Sequence, residues 1–149
     1  MPNIKPNSIV KLENHMRNHD CEIGTLASTL NNNEINDTNV VKVYIEKKLE
    51  ENSFLEAKDF LRKPTMLDDF KYNNSEKIYH HIGIYAFTNI ALTKYVKLAR
   101  SKLEIERNLE QMRALENNLI IKVGLSDSLP LSVDTEEDLV KLIKEMKLL

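Results

Sequence analysis

The hydrophobic positions of this 149-residue chain switch several times between helical spacing and alternation at every second residue. The first pattern predicts amphipathic helices and the second predicts half-buried strands. We expect helices over residues 7–16, 88–98, 101–117 and 135–146. We expect strands over residues 22–30, 40–45, 79–87 and 119–125.

The segment between the second and third predicted strands, residues 46–78, shows neither pattern clearly. It is rich in charged residues and contains Pro64 followed later by a polar run, "KYNNSEK". Proline and clustered polar residues interrupt regular structure. We therefore expect a short helix and a mobile excursion in this segment.

Strands that alternate with helices predict an α/β layer structure, and the chain length suits a single domain over residues 1–149. An α/β domain of the nucleotide-binding type normally begins on a buried strand, whereas this chain begins on Pro2, Pro6 and a helix. We therefore expect the sequence to enter its fold partway through.

Composition excludes several classes of protein. The net charge of −2 lacks the basic excess of a nucleic-acid-binding protein. No apolar run has the length that spans a bilayer, and the N-terminus lacks a signal-peptide pattern. The single Cys21 excludes an internal disulfide and a cysteine-based metal site. We expect a cytoplasmic protein with neither a nucleic-acid nor a membrane partner.

Glycine usage adds a further exclusion. The three glycines, Gly24, Gly83 and Gly124, are isolated from one another, so the chain has no G-x-G-x-x-G motif and no Walker loop. If the chain handles nucleotides, the usual phosphate-binding loop is not part of it.

The strand pattern "YHHIGIYAF", residues 79–87, places a glycine between two hydrogen-bonding side chains. With a period of two, His81, Gly83 and Tyr85 share one face, and Ile82 lies on the opposite, apolar face. A glycine inside a strand often marks close approach by a ligand or another backbone. One interpretation is a ligand-binding recess; the other is a core covered by side chains whose polar tips point outward.

Three other groups could bind a polar ligand. In "NLEQMRALENN", Glu110 and Gln111 could present hydroxyl-binding groups to a pocket, although Glu110 and Arg113 also suit an exposed ion pair worth ~0.2–0.5 kcal/mol. Arg62 could bind a carboxylate or phosphate, or be solvated in a loop. Lys42, flanked by valines within a strand, suits either an exposed sheet edge or an anion site.

The stretch "LSVDTEEDL" carries one more carboxylate than a helix start needs. Thr135 and Asp138 form a capping box, which leaves Asp134 without a capping role. Ligand sites in open α/β sheets lie beyond the carboxyl ends of strands, and Mg²⁺ in phosphate sites is commonly held by one or two carboxylates. Asp134 is therefore a candidate magnesium ligand; the alternative is a simple N-cap worth ~1 kcal/mol.

Three motifs in this order resemble the C-terminal half of the CMP-Kdo synthetase family, the 3-deoxy-manno-octulosonate cytidylyltransferases. They are "YHHIGIYAF", "LEQMRALEN" and "LSVDTEEDL", which match the family patterns H-x-G-I-Y, L-E-Q-x-R-x-L-E and V-D-T-x-E-D. Upstream, "EIGTLAS" and "NVVKVYI" resemble two family strands, and "FLRKP" is a looser match. The resemblance covers essentially the whole chain and implies the C-terminal part of a Rossmann-like three-layer sheet without its N-terminal nucleotide-binding strands.

The resemblance implies an enzyme that transfers CMP from CTP to Kdo, an eight-carbon 3-deoxy sugar acid, with Mg²⁺ and release of pyrophosphate, for lipopolysaccharide synthesis. It implies that Asp134 binds magnesium and that Arg62 contacts the sugar carboxylate. The remaining Kdo contacts that it implies are His81, Tyr85, Glu110 and Gln111. It also favours a role for Arg113 in orienting Glu110.

The sequence departs from the family pattern at its start. Met1-Pro2 falls where the family's D-x-P motif ends, so the resemblance implies that the CTP-binding part and the second metal-binding carboxylate are absent. We expect a chain inactive alone, which acts as a homodimer or with a complementing N-terminal half. The alternatives are a non-catalytic sugar-acid or protein-binding module, a synthetase half for another acid sugar such as a sialic acid, and a decayed fragment with open strand edges.

Overall fold

The computed structural model describes residues 3–18, 21–62, 77–126, 128–131, 133 and 136–147. Within these ranges the helices are α1 (Pro6–Asn18), α2 (Asn89–Tyr95), α3 (Lys102–Arg107), α4 (Gln111–Glu116) and α5 (Glu136–Lys147). The strands are β1 (Ile23–Thr29), β2 (Lys42–Ile45), β3 (Phe54–Leu61), β4 (Ile78–Phe87) and β5 (Ile121–Leu125). The alternation of strands and helices confirms the predicted α/β class.

The five strands form a closed sheet in the order β1-β4-β2-β3-β5, with β5 returning to pair with β1. The β1–β5 pair is parallel and the other four pairs are antiparallel. This closure differs from the open three-layer sheet expected from the sequence, because β3 pairs with β2 on one side and with β5 on the other. Since every described strand has a partner on each side, the open edges expected of a decayed fragment are not found among them.

The short helix predicted within residues 46–78 is wrong for the part that the structure describes, because residues 54–61 form β3. A β-bulge explains why the sequence conceals this strand. Tyr44 pairs with Asp59 and Ile45 pairs with Ala57, so Lys58 is an extra residue on β3. A bulge shifts the alternation of buried and exposed positions by one residue, and the period-two pattern is lost. The predicted excursion falls largely on residues 63–76, which lie outside the described residues.

The helix predicted over residues 101–117 is divided into α3 and α4. Asn108 ends α3 in the left-handed conformation, with φ of 52°, which asparagine tolerates better than most residues. The break changes which side chains are buried: Leu109 and Met112 enter the core as predicted, whereas Ile105 is 60% exposed.

Helix α5 buries less of its apolar face than the sequence predicts. Of the predicted stripe, only Leu142 is buried, whereas Leu139, Ile143 and Met146 are 44%, 43% and 55% exposed. The physical reason is that α5 lies outside the core: among the described residues, neither core cluster contains a side chain of this helix.

The alternation predicted for β4 is confirmed. Ile82, Ile84 and Ala86 pack with Leu12 of α1 in a small cluster. Tyr79, Tyr85 and Phe87 belong to the main core, which also contains side chains of β1, β2, β3, β5 and α4. A register shift opposite β1 leaves Gly83 and Ile84 unpaired between Ile82 and Tyr85. The two extra residues preserve the alternation while opening the sheet at Gly83.

No helix in the described part of the chain is both long and apolar enough to cross a membrane.

Candidate functional site

The structure distributes the predicted site residues between two adjacent cavities. The histidine cavity has a volume of about 560 Å³, and its polar lining comprises Glu34, Asn39, Arg62, His80, His81 and Asp138, around Gly83. The tyrosine cavity has a volume of about 220 Å³ and is lined by Tyr85, Phe87, Tyr95, Glu110 and Gln111 with apolar neighbours. The rings of His81 and Tyr85 lie 5.4 Å apart, so the two cavities adjoin at these residues.

His81 is a buried, neutral histidine. Its Nε2 lies 3.0 Å from the hydroxyl of Thr25, and its ring meets that of Phe60 edge-on at 5.1 Å. Burial, with a smaller contribution from neighbouring His80, lowers the pKa of His81 from 6.5 to about 3. At neutral pH this imidazole therefore carries no charge.

The hydrogen bonds of Thr25 define the tautomer of His81. The Thr25 hydroxyl lies 2.7 Å from the carbonyl oxygen of Ile84 and 3.2 Å from that of Ile82, and it has one proton to donate. Because that proton serves the carbonyls, the hydroxyl accepts from His81, whose Nε2 carries the hydrogen. Nδ1 of His81 is then the ring nitrogen with a free lone pair, able to accept a hydrogen bond.

Tyr85 carries a polar atom that the fold leaves without a partner. Its phenol oxygen is buried and has no hydrogen-bond partner among the described residues. Burial raises the pKa of Tyr85, and the nearby Tyr95 and Glu110 raise it further. The phenol therefore keeps its proton and is available to donate it to a ligand.

Glu110 and Gln111 lie at the start of α4. A series of side-chain contacts fixes the position of this helix start. The Tyr95 hydroxyl donates to the backbone oxygen of Glu110 at 3.1 Å. The guanidinium of Arg113 lies 4.9 Å from the centre of the Tyr95 ring, and it donates to both carboxylate oxygens of Glu104 at 2.7 and 2.5 Å. The guanidinium of Arg113 thus pairs with Glu104. Its predicted role in orienting Glu110 stays a prediction.

The ion pair between Glu104 and Arg113 should make the free energy of unfolding depend on pH. Hydrogen bonds from Arg113 lower the pKa of Glu104 from 4.5 to about 2. A lowered folded-state pKa contributes stability that is present above pH 4.5 and is lost as the pH falls toward 2. We expect Glu104→Gln to lower the free energy of unfolding at pH 6, and this deficit to shrink on acidification to pH 3, in urea denaturation.

The matched control for this prediction is Glu106→Gln, which neutralises an exposed carboxylate on the same helix. It should leave the free energy of unfolding nearly unchanged at both pH values. A deficit for Glu104→Gln that is the same at pH 6 and pH 3 would contradict the assigned role of the Arg113 pair.

Arg62 and Lys42 stabilise the loop that borders the histidine cavity. Nη1 of Arg62 donates to the backbone oxygens of Thr38 and Asn39 at 3.3 and 3.2 Å. The ammonium of Lys42 donates to the backbone oxygens of Asp37 and Arg62. Lys42 is fully buried, so the exposed sheet edge considered for it is wrong. Its pKa is lowered by burial.

Gly83 provides an opening in the histidine cavity. A Cβ atom built at this position would meet nothing within 4 Å, so the space beside the backbone is empty of protein. His80 and Glu34 also line this cavity and lie within hydrogen-bond distance of each other, with 3.1 Å between Nδ1 and Oε1. The recess that the sequence predicts at Gly83 is present, but it opens toward Arg62 and His80 rather than toward Tyr85.

Asp134, the predicted magnesium ligand, lies outside the described residues. Across the described ranges, no group of three or more histidine, cysteine, aspartate or glutamate side chains could hold a metal ion. The assignment of Asp134 stays a prediction.

Several residues that shape these cavities were missed in the sequence. Glu104 had a visible signal, because Ser101 and Glu104 form a capping-box pattern, and Glu104 accepts a hydrogen bond from the Ser101 backbone at 3.1 Å. Thr25, Tyr95 and Glu34 had no local signal. Their roles depend on partners in distant segments, which a one-dimensional pattern does not reveal.

Two relatives match nearly all of this chain. A 3-deoxy-manno-octulosonate cytidylyltransferase of Bartonella tribocorum is 40% identical over 145 residues, covering 97% of this chain and 56% of the relative. The protein of the same name from Rickettsia prowazekii is 35% identical over 147 residues, covering 99% of this chain and 55% of the relative. The chain thus spans about half the length of these relatives.

A solved structure is similar in fold. A CMP:2-keto-3-deoxy-manno-octonic acid synthetase complexed with CTP matches with a TM-score of 0.83 and 25% identity, covering 98% of this chain and 58% of the other. The family model for cytidylyltransferases matches residues 1–123, which include β1 to β4 and most of β5. The sequence and the fold of this chain thus match the same family, and the chain belongs to the cytidylyltransferase family.

Proposed function

We propose that this chain supplies the sugar-acid side of an enzyme that transfers CMP from CTP to Kdo and releases pyrophosphate, as one step of lipopolysaccharide synthesis. Family membership and the near-complete match of this chain to relatives named for that sugar acid support the proposal. Because the chain spans about half of each relative, we place the CTP-binding surface in the part that it does not span.

The observation that carries this proposal is the unpartnered phenol of Tyr85 at the tyrosine cavity. A buried polar atom without a partner is rare in a native protein, and a ligand is one of the groups that can supply the missing hydrogen bond. Glu110 and Gln111 line the same cavity, and together they offer acceptors and donors to neighbouring hydroxyls. A polyhydroxylated sugar is the ligand class that such a set suits.

The histidine cavity suits the acidic end of the same ligand. Arginine has five N–H donors, so the two bonds that Arg62 makes through Nη1 leave others for a carboxylate. His81 lies between the two cavities as a neutral side chain, so it adds no charge to attract or repel the sugar. We therefore assign Kdo contacts to Arg62 and His81 at one end and to Tyr85, Glu110 and Gln111 at the other.

The proposed reaction forms one phosphorus–oxygen bond and breaks another. The anomeric oxygen of Kdo attacks the α-phosphorus of CTP, the bond from that phosphorus to the bridging oxygen of pyrophosphate breaks, and the proton of the attacking hydroxyl passes to solvent. The contribution of this chain is to orient the hydroxyl, since positioning accounts for much of the rate enhancement in such transfers. Magnesium bound by Asp134, a homodimeric state and a cytoplasmic location belong to the same proposal.

Tyr85→Phe tests whether the unpartnered phenol of Tyr85 binds Kdo. We expect Kdo to raise the unfolding temperature of the chain, and Tyr85→Phe to weaken the Kd for Kdo about 2- to 10-fold, as expected for the loss of one hydrogen bond. Differential scanning fluorimetry with a Kdo titration measures both. The matched control is Tyr44→Phe, which makes the same change outside both cavities and should leave the Kd unchanged.

A titration with a sialic acid and an assay for pyrophosphate release complete the test. Stronger stabilisation by the sialic acid than by Kdo would favour a synthetase half for that other sugar. We expect no pyrophosphate release from CTP and Kdo by this chain alone; rapid release would overturn the assignment of CTP binding to another segment. Kdo stabilisation that is unaffected by His81→Ala and by Tyr85→Phe would place the ligand outside these cavities.

A further inference from the structure

Lys42 of β2 is a fully buried cation whose hydrogen bonds in the described part of the chain go to backbone oxygens. Its ammonium donates to the carbonyl oxygen of Asp37, in the loop between β1 and β2, and to that of Arg62 at 3.0 Å. Removing a charge from water is costly, and an apolar side chain of similar volume is often tolerated at least as well at such a position. Stability alone therefore does not explain a lysine here.

The side chain of Arg62 binds the same loop as that of Lys42. Its Nη1 donates to the carbonyl oxygens of Thr38 and Asn39 at 3.3 and 3.2 Å. The carbonyl oxygens of three successive residues, 37–39, thus accept hydrogen bonds from two cations. One of these cations, Lys42, also binds the backbone of the other. Lys42, Arg62 and residues 37–39 are named the cation clamp.

The register of the sheet places the cation clamp at the wall of the histidine cavity. Lys42 pairs with Leu61 of β3 on one side and with His80 of β4 on the other. Arg62 follows Leu61 directly, and Arg62, Asn39 and His80 all line the histidine cavity. Lys42 therefore lies one hydrogen bond behind a cavity residue.

We propose that Lys42 is a positioning residue for recognition of the acid sugar: it fixes the backbone of Arg62, and thereby holds the guanidinium where it binds the sugar carboxylate. The inference rests on the proposed function, because it takes Arg62 as the contact to the acidic end of Kdo. Lys42 itself does not contact the ligand. An arginine that is held by both its backbone and its side chain loses less conformational freedom on binding, and such preorganisation raises affinity.

The placement of Arg62 matters because the histidine cavity also contains acidic groups. Glu34 and Asp138 line it, and each repels a carboxylate ligand when ionised. The affinity for an acid sugar therefore depends on how closely Arg62 approaches the ligand carboxylate.

A double-mutant cycle tests whether Lys42 acts through Arg62. Isothermal titration calorimetry measures the Kd for Kdo in the unmodified chain, Lys42→Met, Arg62→Ala and the double variant. We expect each single change to weaken the Kd about 10-fold or more, as for the loss of a hydrogen bond to a charged group. The double variant should bind no more weakly than Arg62→Ala, because a residue that acts through Arg62 has no effect in its absence.

The matched control is Lys58→Met, which makes the same change at an exposed position of β3 and should leave the Kd unchanged. The amide of Kdo, which lacks the carboxylate charge, provides a second readout. Lys42→Met should leave the Kd for this amide unchanged, since only the contact to the carboxylate is lost. Equal weakening for Kdo and its amide would overturn the proposal, because the substitution would then have damaged the cavity as a whole.

Hydrogen exchange of the Asn39 amide tests the cation clamp without a ligand. Lys42→Met should raise its exchange rate about 10-fold or more, whereas Lys58→Met should not change it. Unchanged exchange in Lys42→Met would contradict the inference even if Kdo binds. Faster exchange, combined with no binding of Kdo to the unmodified chain, would overturn the proposed function and leave the role of Lys42 in holding Arg62 intact.

The remaining outcomes also decide the question. Additive effects in the cycle would count against positioning, because Lys42 would then act on the ligand through its charge alone. Lys42→Gln, which keeps an amide donor, replaces Lys42→Met if the methionine variant does not fold. If neither variant folds, the proposal is wrong, since Lys42 would then be needed for the fold itself.

Discussion

Lowering the pH from 7.5 to 5 should reduce the free energy of unfolding by roughly 2 kcal/mol through His81 alone. The cause is burial, which lowers the pKa of His81 from 6.5 in the unfolded chain to about 3 in the folded chain. Because the unfolded chain binds this proton more readily, stability is fully present above pH 6.5. It is lost progressively as the pH falls toward 3.

The structure explains why His81 resists protonation. Its ring is enclosed by Phe60 and Tyr85, and Nε2 already donates to the Thr25 hydroxyl. A second proton would place a charge among neutral groups, and the neighbouring His80 would oppose it when charged. Protonation should therefore be coupled to unfolding rather than accommodated in the native state.

Urea denaturation at pH 7.5 and pH 5 measures this effect, with His81→Gln as the test variant. The glutamine amide can still donate toward Thr25 but does not titrate, so the variant should lose about 2 kcal/mol less than the original chain between these pH values. His80→Gln is the control: it removes the adjacent imidazole, which contributes less than burial does to the lowered pKa of His81, so most of the pH dependence should remain. A pH dependence unchanged in His81→Gln would contradict the assignment.

Gly124→Ala should lower the free energy of unfolding by about 1–3 kcal/mol through overpacking. Gly124 of β5 pairs with Phe54 of β3. A Cβ atom at Gly124 would lie 2.4 Å from Cζ of Phe54, and the Phe54 ring is stacked on His15 at 3.7 Å between ring centres. The ring lacks room to move without losing that stacking, so the added methyl group strains the junction where the sheet closes.

Gly83→Ala is the matched control for this prediction. Neither glycine has a positive φ, so alanine suits both backbones, but the space at Gly83 is empty of protein. Gly83→Ala should leave stability unchanged or raise it by up to about 1 kcal/mol, since it restricts the unfolded chain. Pairing Gly124→Ala with Phe54→Leu should recover part of the loss. Equal effects of the two alanine variants would contradict the packing argument.

The sequence predicted most elements of this fold because their patterns are local. The alternation in β4 and the helical spacing in α1 are visible without any knowledge of partners, and both are confirmed. The failures are non-local. The bulge at Lys58 concealed β3, and the left-handed Asn108 divided a helix whose spacing looked continuous.

The candidate site was predictable in its membership but not in its geometry. The motifs identified His81, Tyr85 and Glu110 together, whereas the structure places His81 in one cavity and the other two in its neighbour. The pairing of Arg113 with Glu104 depends on the break between α3 and α4, which turns the two side chains toward each other. Such contacts follow from tertiary packing, and sequence spacing alone does not determine them.

The parallel pairing of β1 with β5 has a consequence for how the chain acquires its structure. Ile23 pairs with Ile121, so the ring of strands closes through residues about 100 positions apart. Bringing such distant segments together costs chain entropy before any contact forms. A high mean sequence separation of contacts therefore lowers the folding rate. During synthesis on the ribosome, β1 cannot pair with β5 until β5 has left the exit tunnel. The barrel should therefore form late and cooperatively, after translation has passed its last strand.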